Sequence, residues 1–130
     1  MKKILLLLFL LPNLLLADPI KHDKKYPDGK GPFPGVIILH TSGGYNKDVH
    51  FHGHGKFFLD SGYAIYAPDF FSKHGLTSKT RERTWSKYLK NIEQDLSEIV
   101  NVMKSDPKID KENIFAVGFS NGGFWATYLA

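Results

Sequence analysis

Apolar and polar residues alternate along the chain in blocks that predict an ordered series of strands and helices. Three short runs rich in β-branched and aromatic residues, 36–39, 63–67 and 113–117, are bounded by Gly, Pro or polar loops. Continuous apolar runs of this length are typical of strands buried on both faces of a parallel sheet. Residues 18–35 are polar and rich in turn residues, and we interpret them as an entry segment that precedes the first strand.

The longest helical pattern lies between the second and third predicted strands. Apolar residues recur there at spacings of three and four and predict one stripe facing the core: Trp85, Tyr88, Leu89, Ile92, Leu96, Ile99, Val100 and Met103. Charged residues between them, Asp95 included, are expected to lie off the stripe. Shorter helices are predicted over about 53–60 and from Gly122 onward. Alternation of strands and helices predicts an α/β fold with a parallel sheet.

The first 17 residues have the parts of a secretory signal peptide. Two lysines begin the segment, an apolar run over 4–17 follows, and Asp18 opens a polar stretch. The 14-residue run contains Pro12 and Asn13, and it falls short of the roughly 18–20 apolar residues that span a bilayer. We therefore predict cleavage after Ala17, export to the periplasm or the cell exterior, and no stable membrane anchor. An uncleaved anchor is the alternative.

Composition and charge exclude several functional classes. The formal net charge is +4, but without the predicted signal peptide 15 basic and 13 acidic residues are left. Because the basic residues are scattered, we predict no nucleic-acid partner. The chain has no cysteine, which excludes a disulfide framework, a thiolate metal site and a Cys nucleophile.

Residues 118–122, Gly-Phe-Ser-Asn-Gly, fit the G-x-S-x-G pattern of a nucleophile elbow. Such a serine lies on a sharp, strained turn between a strand and a helix, where glycines avoid the clashes that a Cβ would make. The pattern follows a predicted strand and precedes a predicted helix, so we predict that Ser120 is a nucleophile. The alternative is a glycine-rich turn in which Ser120 only caps the helix. Nucleotide binding is disfavoured, because the G-x-G-x-x-G spacing and a phosphate-loop lysine are lacking.

The loop over residues 40–44, His-Thr-Ser-Gly-Gly, follows the first predicted strand. Acyl transfer requires backbone N–H groups directed at the oxyanion that develops on the substrate. One donor of this kind belongs to the residue after the nucleophile, here Asn121, and the other to a loop such as this one. We predict the backbone N–H groups of Asn121 and Ser42 as the oxyanion hole; an ordinary polar turn is the alternative for the loop.

Three blocks of sequence, 35–40, 62–69 and 106–123, resemble the dienelactone hydrolase-like family of α/β hydrolases and occur in that family's order. The resemblance implies a parallel-sheet α/β-hydrolase fold with the first strand between the second and the third. It places Ser42 and Ser120 beside each other at a switch point of the sheet, where ligands bind. It also implies that residues 18–130 are the N-terminal part of such a domain, truncated after the elbow, because the family's acid and histidine follow the nucleophile.

Two positions depart from dienelactone hydrolases proper, which have a Cys where this chain has Ser120 and a Glu where it has Thr41. We therefore expect a generic small ester or acyl substrate, hydrolysed without a cofactor. The resemblance implies a structural role for His40, and it places none of His50, His52, His54 and His74 in the position of the base. The chain of 130 residues is expected to be inactive by itself. A catalytically inactive fragment, or a non-enzymatic binding module of the same fold, is the alternative.

Two further groups of residues invite other interpretations. The alternating histidines of 50–54 would share one face of a strand and bind a metal there, but extended structure is not expected at this point of the chain. We interpret them as solvated histidines ahead of a helix and predict no metal site. Asp69 follows the second predicted strand, and we interpret it as a loop or pocket residue rather than as the acid of a triad.

Overall fold

A four-stranded sheet forms the centre of the fold. In a computed structural model that describes residues 18–130, the strands are β1 (His22–Lys25), β2 (Phe33–Leu39), β3 (Ala64–Pro68) and β4 (Ile109–Gly118). Their order in the sheet is β1-β3-β2-β4. β2 pairs in parallel with β3 and β4, whereas β1 is antiparallel to β3. The prediction that the first apolar strand lies between the second and third is confirmed; the predicted signal peptide, 1–17, lies outside the described residues.

Helices cover both faces of this sheet, which explains the continuous apolar runs of the strands. The helices are α1 (Gly55–Asp60), α2 (Leu89–Ser105) and α3 (Asn121–Leu129). Ile37, Leu39 and Tyr66 pack with apolar residues of α2 and with Trp125 of α3. Side chains of the opposite parity, including Val36, Ile38 and Ile65, pack instead on the side of α1. Residues of alternating parity therefore belong to two cores, one on each face of the sheet.

The structure differs from the sequence prediction in the short elements. β1 lies in the segment that we interpreted as an entry loop, since the sequence His-Asp-Lys-Lys has no apolar alternation and is held by backbone pairing to β3. A π-helical turn, Asp48–His54, runs directly into α1. Two 3₁₀ turns, Ser72–His74 and Arg81–Thr84, lie in the long loop between β3 and α2.

Two expectations for the longest helix were wrong. α2 begins at Leu89, so Trp85 lies before the helix and is 42% exposed, with its ring edge-to-face against Phe124 of α3. Asp95, expected off the apolar stripe, is buried, since it lies three residues after Ile92 on the same face of the helix. Its carboxylate binds Lys73 Nζ at 2.5 Å and His74 Nε2 at 2.6 Å.

None of the helices between residues 18 and 130 has the length and apolar character needed to cross a membrane.

Asp106, in the turn between α2 and β4, links the N-terminal part of the chain to the sheet. Its carboxylate accepts hydrogen bonds from the hydroxyls of Tyr26 and Tyr66 and from the backbone N–H of Lys108, and it lies 3.6 Å from Lys24 Nζ. Burial alone would raise the pKa of this carboxyl. The hydrogen bonds and the lysine charge outweigh burial and hold the pKa of Asp106 at about 2, below its ordinary 3.8.

Replacing Asp106 by Asn is expected to lower the thermal unfolding midpoint by about 4–8 °C at neutral pH, for a loss of about 1 kcal/mol. Because the folded-state pKa is depressed, the carboxylate contributes stability above about pH 4 and loses that contribution as the pH falls towards 2. Melts followed by circular dichroism between pH 6 and pH 2 should therefore show the difference from wild type shrinking with acidification. Asp60→Asn, in an exposed pair with Lys56, is the control. A difference that stays constant with pH would contradict this account.

Candidate active site

The G-x-S-x-G turn, residues 118–122, lies between β4 and α3. We call this segment the elbow. Ser120 immediately precedes α3 and is exposed, with φ 53° and ψ −113°. It is the sole non-glycine residue with a positive φ among the described residues. A serine in this region is strained, and such strain persists only where the surrounding structure imposes it.

Two glycines make this turn possible, because backbone atoms occupy the space that a side chain would need. A Cβ added to Gly118 would lie 1.9 Å from the carbonyl oxygen of Gly122. A Cβ added to Gly122 would lie 2.2 Å from the carbonyl oxygen of Leu39 and 2.7 Å from that of His40. The start of α3 is therefore in direct contact with the end of β2. The expected role of the flanking glycines agrees with these distances.

The loop with Ser42 and the elbow leave neighbouring strand ends. Leu39 of β2 is paired in register with Gly118 of β4, and the backbone N–H of Phe119 lies 3.4 Å from the Leu39 carbonyl oxygen. Ser42 is half-buried in a turn closed by a hydrogen bond of 3.1 Å from the Gly44 N–H to the Thr41 carbonyl.

Among the residues that the structure describes, the two predicted oxyanion donors have no protein acceptor. Within residues 18–130, neither the backbone N–H of Ser42 nor that of Asn121 donates to a protein atom. Asn121 is the first residue of α3, whose opening N–H groups have no partner inside the helix. The helix dipole adds positive potential at this end.

His40 is a structural residue rather than a base. Its ring is fully buried, stacks on Phe70 with 3.8 Å between ring centroids, and has Nδ1 2.8 Å from the Thr41 carbonyl oxygen. Nε2 lies 3.8 Å from Asp69 Oδ1 and makes no hydrogen bond to a described residue. Burial lowers the pKa of His40 to about 4, against the opposing effects of the Thr41 carbonyl and the Asp69 carboxylate. The imidazole is therefore neutral at physiological pH.

The other candidate residues are also bound into the structure. His50 Nδ1 lies 2.9 Å from the Asn46 carbonyl oxygen, His74 binds Asp95, and the His54 ring stacks on Phe119 with centroids 4.3 Å apart. Asp69 accepts hydrogen bonds from the backbone N–H groups of Phe71 and Ser72, both at 3.1 Å. Between residues 18 and 130, no group of three or more His, Cys, Asp or Glu side chains is placed to hold a metal ion.

Sequence reasoning missed the side-chain contact behind the elbow. Asn121 Nδ2 lies 3.3 Å from Thr84 Oγ1, and both residues are buried. No sequence pattern connects these two positions, because Thr84 lies in a loop without periodicity. The contact arises only when that loop packs against α3.

The sheet order and the strained elbow between a parallel strand and a helix define an α/β-hydrolase fold. The sequence profile of the dienelactone hydrolase family matches residues 24–130, and the chain belongs to this family. The family resemblance and the fold class predicted from the sequence are confirmed, and the family is one of hydrolases.

Three similar proteins are each longer than this chain. Dipeptidyl-peptidase 5 of Porphyromonas gingivalis is 29% identical over 121 residues, which are 90% of this chain and 16% of that protein. The 2,6-dihydroxy-pseudo-oxynicotine hydrolase has a similar fold, with a TM-score of 0.60 and 21% identity over 83% of this chain and 28% of its own. A carbohydrate esterase family 15 glucuronoyl esterase from Caldicellulosiruptor kristjansonii gives a TM-score of 0.56 and 19% identity over 83% of this chain and 33% of its own. The chain thus spans less than two thirds of each of these proteins.

Replacing Gly122 by Ala is expected to lower the free energy of unfolding by about 3 kcal/mol or more, since the new methyl group would overlap the Leu39 and His40 carbonyl oxygens. Gly123→Ala is the matched control on the same helix, where the nearest backbone atom is 3.4 Å away. There the new methyl group makes a contact of ordinary van der Waals length, and the helix propensity of Ala, worth up to about 1 kcal/mol, favours the variant. Urea denaturation of both variants checks this. Equal stabilities would mean that the close approach of α3 to β2 is not required.

Proposed function

We propose that this protein is an exported serine hydrolase that cleaves a small ester or acyl substrate with Ser120 as its nucleophile. The observation that carries the proposal is the strained, exposed Ser120 just before α3. The next residue, Asn121, has a backbone N–H with no acceptor among residues 18–130. A serine held in this way presents its hydroxyl to solvent while the next residue offers a hydrogen bond to the developing oxyanion.

In the proposed reaction, Ser120 Oγ attacks the carbonyl carbon of the substrate. The carbonyl oxygen becomes an oxyanion that accepts hydrogen bonds from the backbone N–H groups of Asn121 and Ser42. The alcohol leaves and an acyl-enzyme remains, which water hydrolyses to return the free serine. A serine hydroxyl is a weak nucleophile unless a neighbouring base removes its proton. The proposal therefore requires a base.

We propose that the base is a histidine, supported by an acid, and that both follow Ser120 in the order typical of this family. Among residues 18–130 no side chain forms a hydrogen bond with Ser120 Oγ. His40, His50 and His74 are each held by other partners, and His40 is too weak a base. Residues 1–130 by themselves are accordingly proposed to be inactive.

Two substrate classes are consistent with the relatives. One relative is named a dipeptidyl-peptidase and another a glucuronoyl esterase. The proposed nucleophile and oxyanion donors would serve the cleavage of esters and of amides alike. We favour an ester, because its alcohol is a better leaving group than the amine of an amide. No metal or organic cofactor is needed for this reaction.

Replacing Ser120 by Ala in the full-length protein is expected to lower kcat for p-nitrophenyl acetate by at least about 10⁴-fold, because the covalent step is lost. The unfolding midpoint should change little, since Ser120 is exposed. Ser97→Ala, on the exposed side of α2, is the matched control and should keep wild-type kcat. A wild-type protein that binds but never hydrolyses esters or dipeptidyl amides would favour the binding-module alternative and contradict the proposed enzyme.

Export is proposed from the first 17 residues. Expression in a Gram-negative host should yield a periplasmic or secreted protein whose N-terminal residue is Asp18. Lys2 and Lys3 replaced together by Glu should slow processing, because a signal peptide requires a positive start. N-terminal sequencing of the fractionated protein measures this. A cytoplasmic protein that begins at Met1 would show that the segment is not a signal peptide.

A further inference from the structure

A buried hydrogen bond joins the loop between β3 and α2 to the elbow. Thr84 is fully buried at the end of a 3₁₀ turn, and Asn121, 2% exposed, is the first residue of α3. Their side chains meet at 3.3 Å between Thr84 Oγ1 and Asn121 Nδ2. Apart from this bond, the hydrogen bonds of the elbow within residues 18–130 are made by backbone groups.

The orientation of this bond follows from the number of hydrogens available. The Thr84 hydroxyl donates its one hydrogen to the carbonyl oxygen of Arg81, 2.6 Å away. Its remaining lone pairs can only accept, so the Asn121 side chain must present its NH₂ group to Thr84. The Asn121 amide is thereby held in a single orientation, with Oδ1 buried and without a partner among the described residues.

Thr84 is itself held in place, since the loop around it is bound to the rest of the fold. The buried carboxylate of Asp95 on α2 binds both Lys73 and His74 of the loop. Phe70, Phe71 and Leu76 from the same loop are buried in the core. The part of the loop that precedes Thr84 is therefore attached to α2 and to the core independently of the elbow.

We propose that Thr84 is a positioning residue for the hydrolase. Its hydroxyl holds the side chain of Asn121 in place. The Asn121 side chain in turn fixes the position of its own backbone N–H, which donates to the oxyanion, and of the strained turn at Ser120. This inference rests on the proposed function, because it concerns the donor of that same site. A strained conformation needs constraints from several sides. The elbow is constrained from β2 through Gly122 and from the β3–α2 loop through Thr84.

The test compares Thr84→Val, which keeps the shape of the side chain and removes the hydroxyl, with Thr84→Ser, which keeps the hydroxyl. In the full-length protein with p-nitrophenyl acetate, Thr84→Val should lower kcat about 10-fold with KM within about 2-fold, as expected when an interaction made in the transition state is weakened. Thr84→Ser should restore kcat to within about 3-fold of wild type. Thr127→Val removes a hydroxyl from the exposed side of α3 and is the matched control, with no change in kcat.

A second variant keeps the proposal testable if Thr84→Val fails to fold. Asn121→Ala removes the amide while keeping the backbone N–H and a good helix former, and it should lower kcat by a similar factor. The double variant combines Asn121→Ala with Thr84→Val, or with Thr84→Ala if necessary. Its kcat should fall no further than that of either single variant, because each substitution removes the same hydrogen bond. Wild-type kcat in Asn121→Ala, or additive losses in the double variant, would overturn the proposal. If the wild-type protein shows no Ser120-dependent turnover, the proposed function fails and this inference fails with it; an active wild type with an equally active Thr84→Val variant contradicts this inference alone.

Discussion

The close approach of Gly122 to the carbonyl oxygens of Leu39 and His40 is the contact on which the arrangement of the site depends. It brings α3 against the end of β2 while Leu39 remains paired with Gly118 of β4. Because Gly118 is held in β4 and Gly122 lies against β2, the three residues between them, 119–121, have little conformational freedom. Ser120 adopts a positive φ as a result. Strain at the proposed nucleophile is thus a consequence of packing at this edge of the sheet, which the two cores on its faces stabilise.

Two carboxylates, the half-buried Asp106 and the buried Asp95, join loops to this framework. Asp106 links the N-terminal part of the chain to β3 at one end of the sheet, and Asp95 links the loop after β3 to α2. Buried polar groups stabilise a fold only when their hydrogen bonds are made, so each also restricts the positions of its partners. The loop that Asp95 holds is the one that carries Thr84 to Asn121. The contacts of Asp95 on α2 therefore also restrict the position of Asn121, whose N–H is proposed to donate to the oxyanion.

The histidines of this chain illustrate how burial separates structural from chemical roles. His40 lies close to the elbow, yet its stacking on Phe70 and its desolvation hold its pKa at about 4. A neutral ring that already contacts the Thr41 carbonyl is suited to support the loop with Ser42, as the family resemblance implied. This assignment is why the proposed base is sought after the nucleophile rather than among the histidines that precede it.

The apolar strands, the longest helix and the elbow were all predictable, because each is encoded in patterns of a few neighbouring residues. The spacing of apolar residues and the two glycines of 118–122 are features of short stretches of sequence, so they can be recognised without knowing what the segment packs against. β1, the exposure of Trp85, the burial of Asp95 and the Thr84–Asn121 bond were not predictable in this way. β1 is held by backbone pairing that any sequence can make, and Thr84 meets Asn121 across 37 residues of chain. Such contacts depend on which surfaces the packed elements bring together, and that is a property of the folded chain rather than of any segment of it.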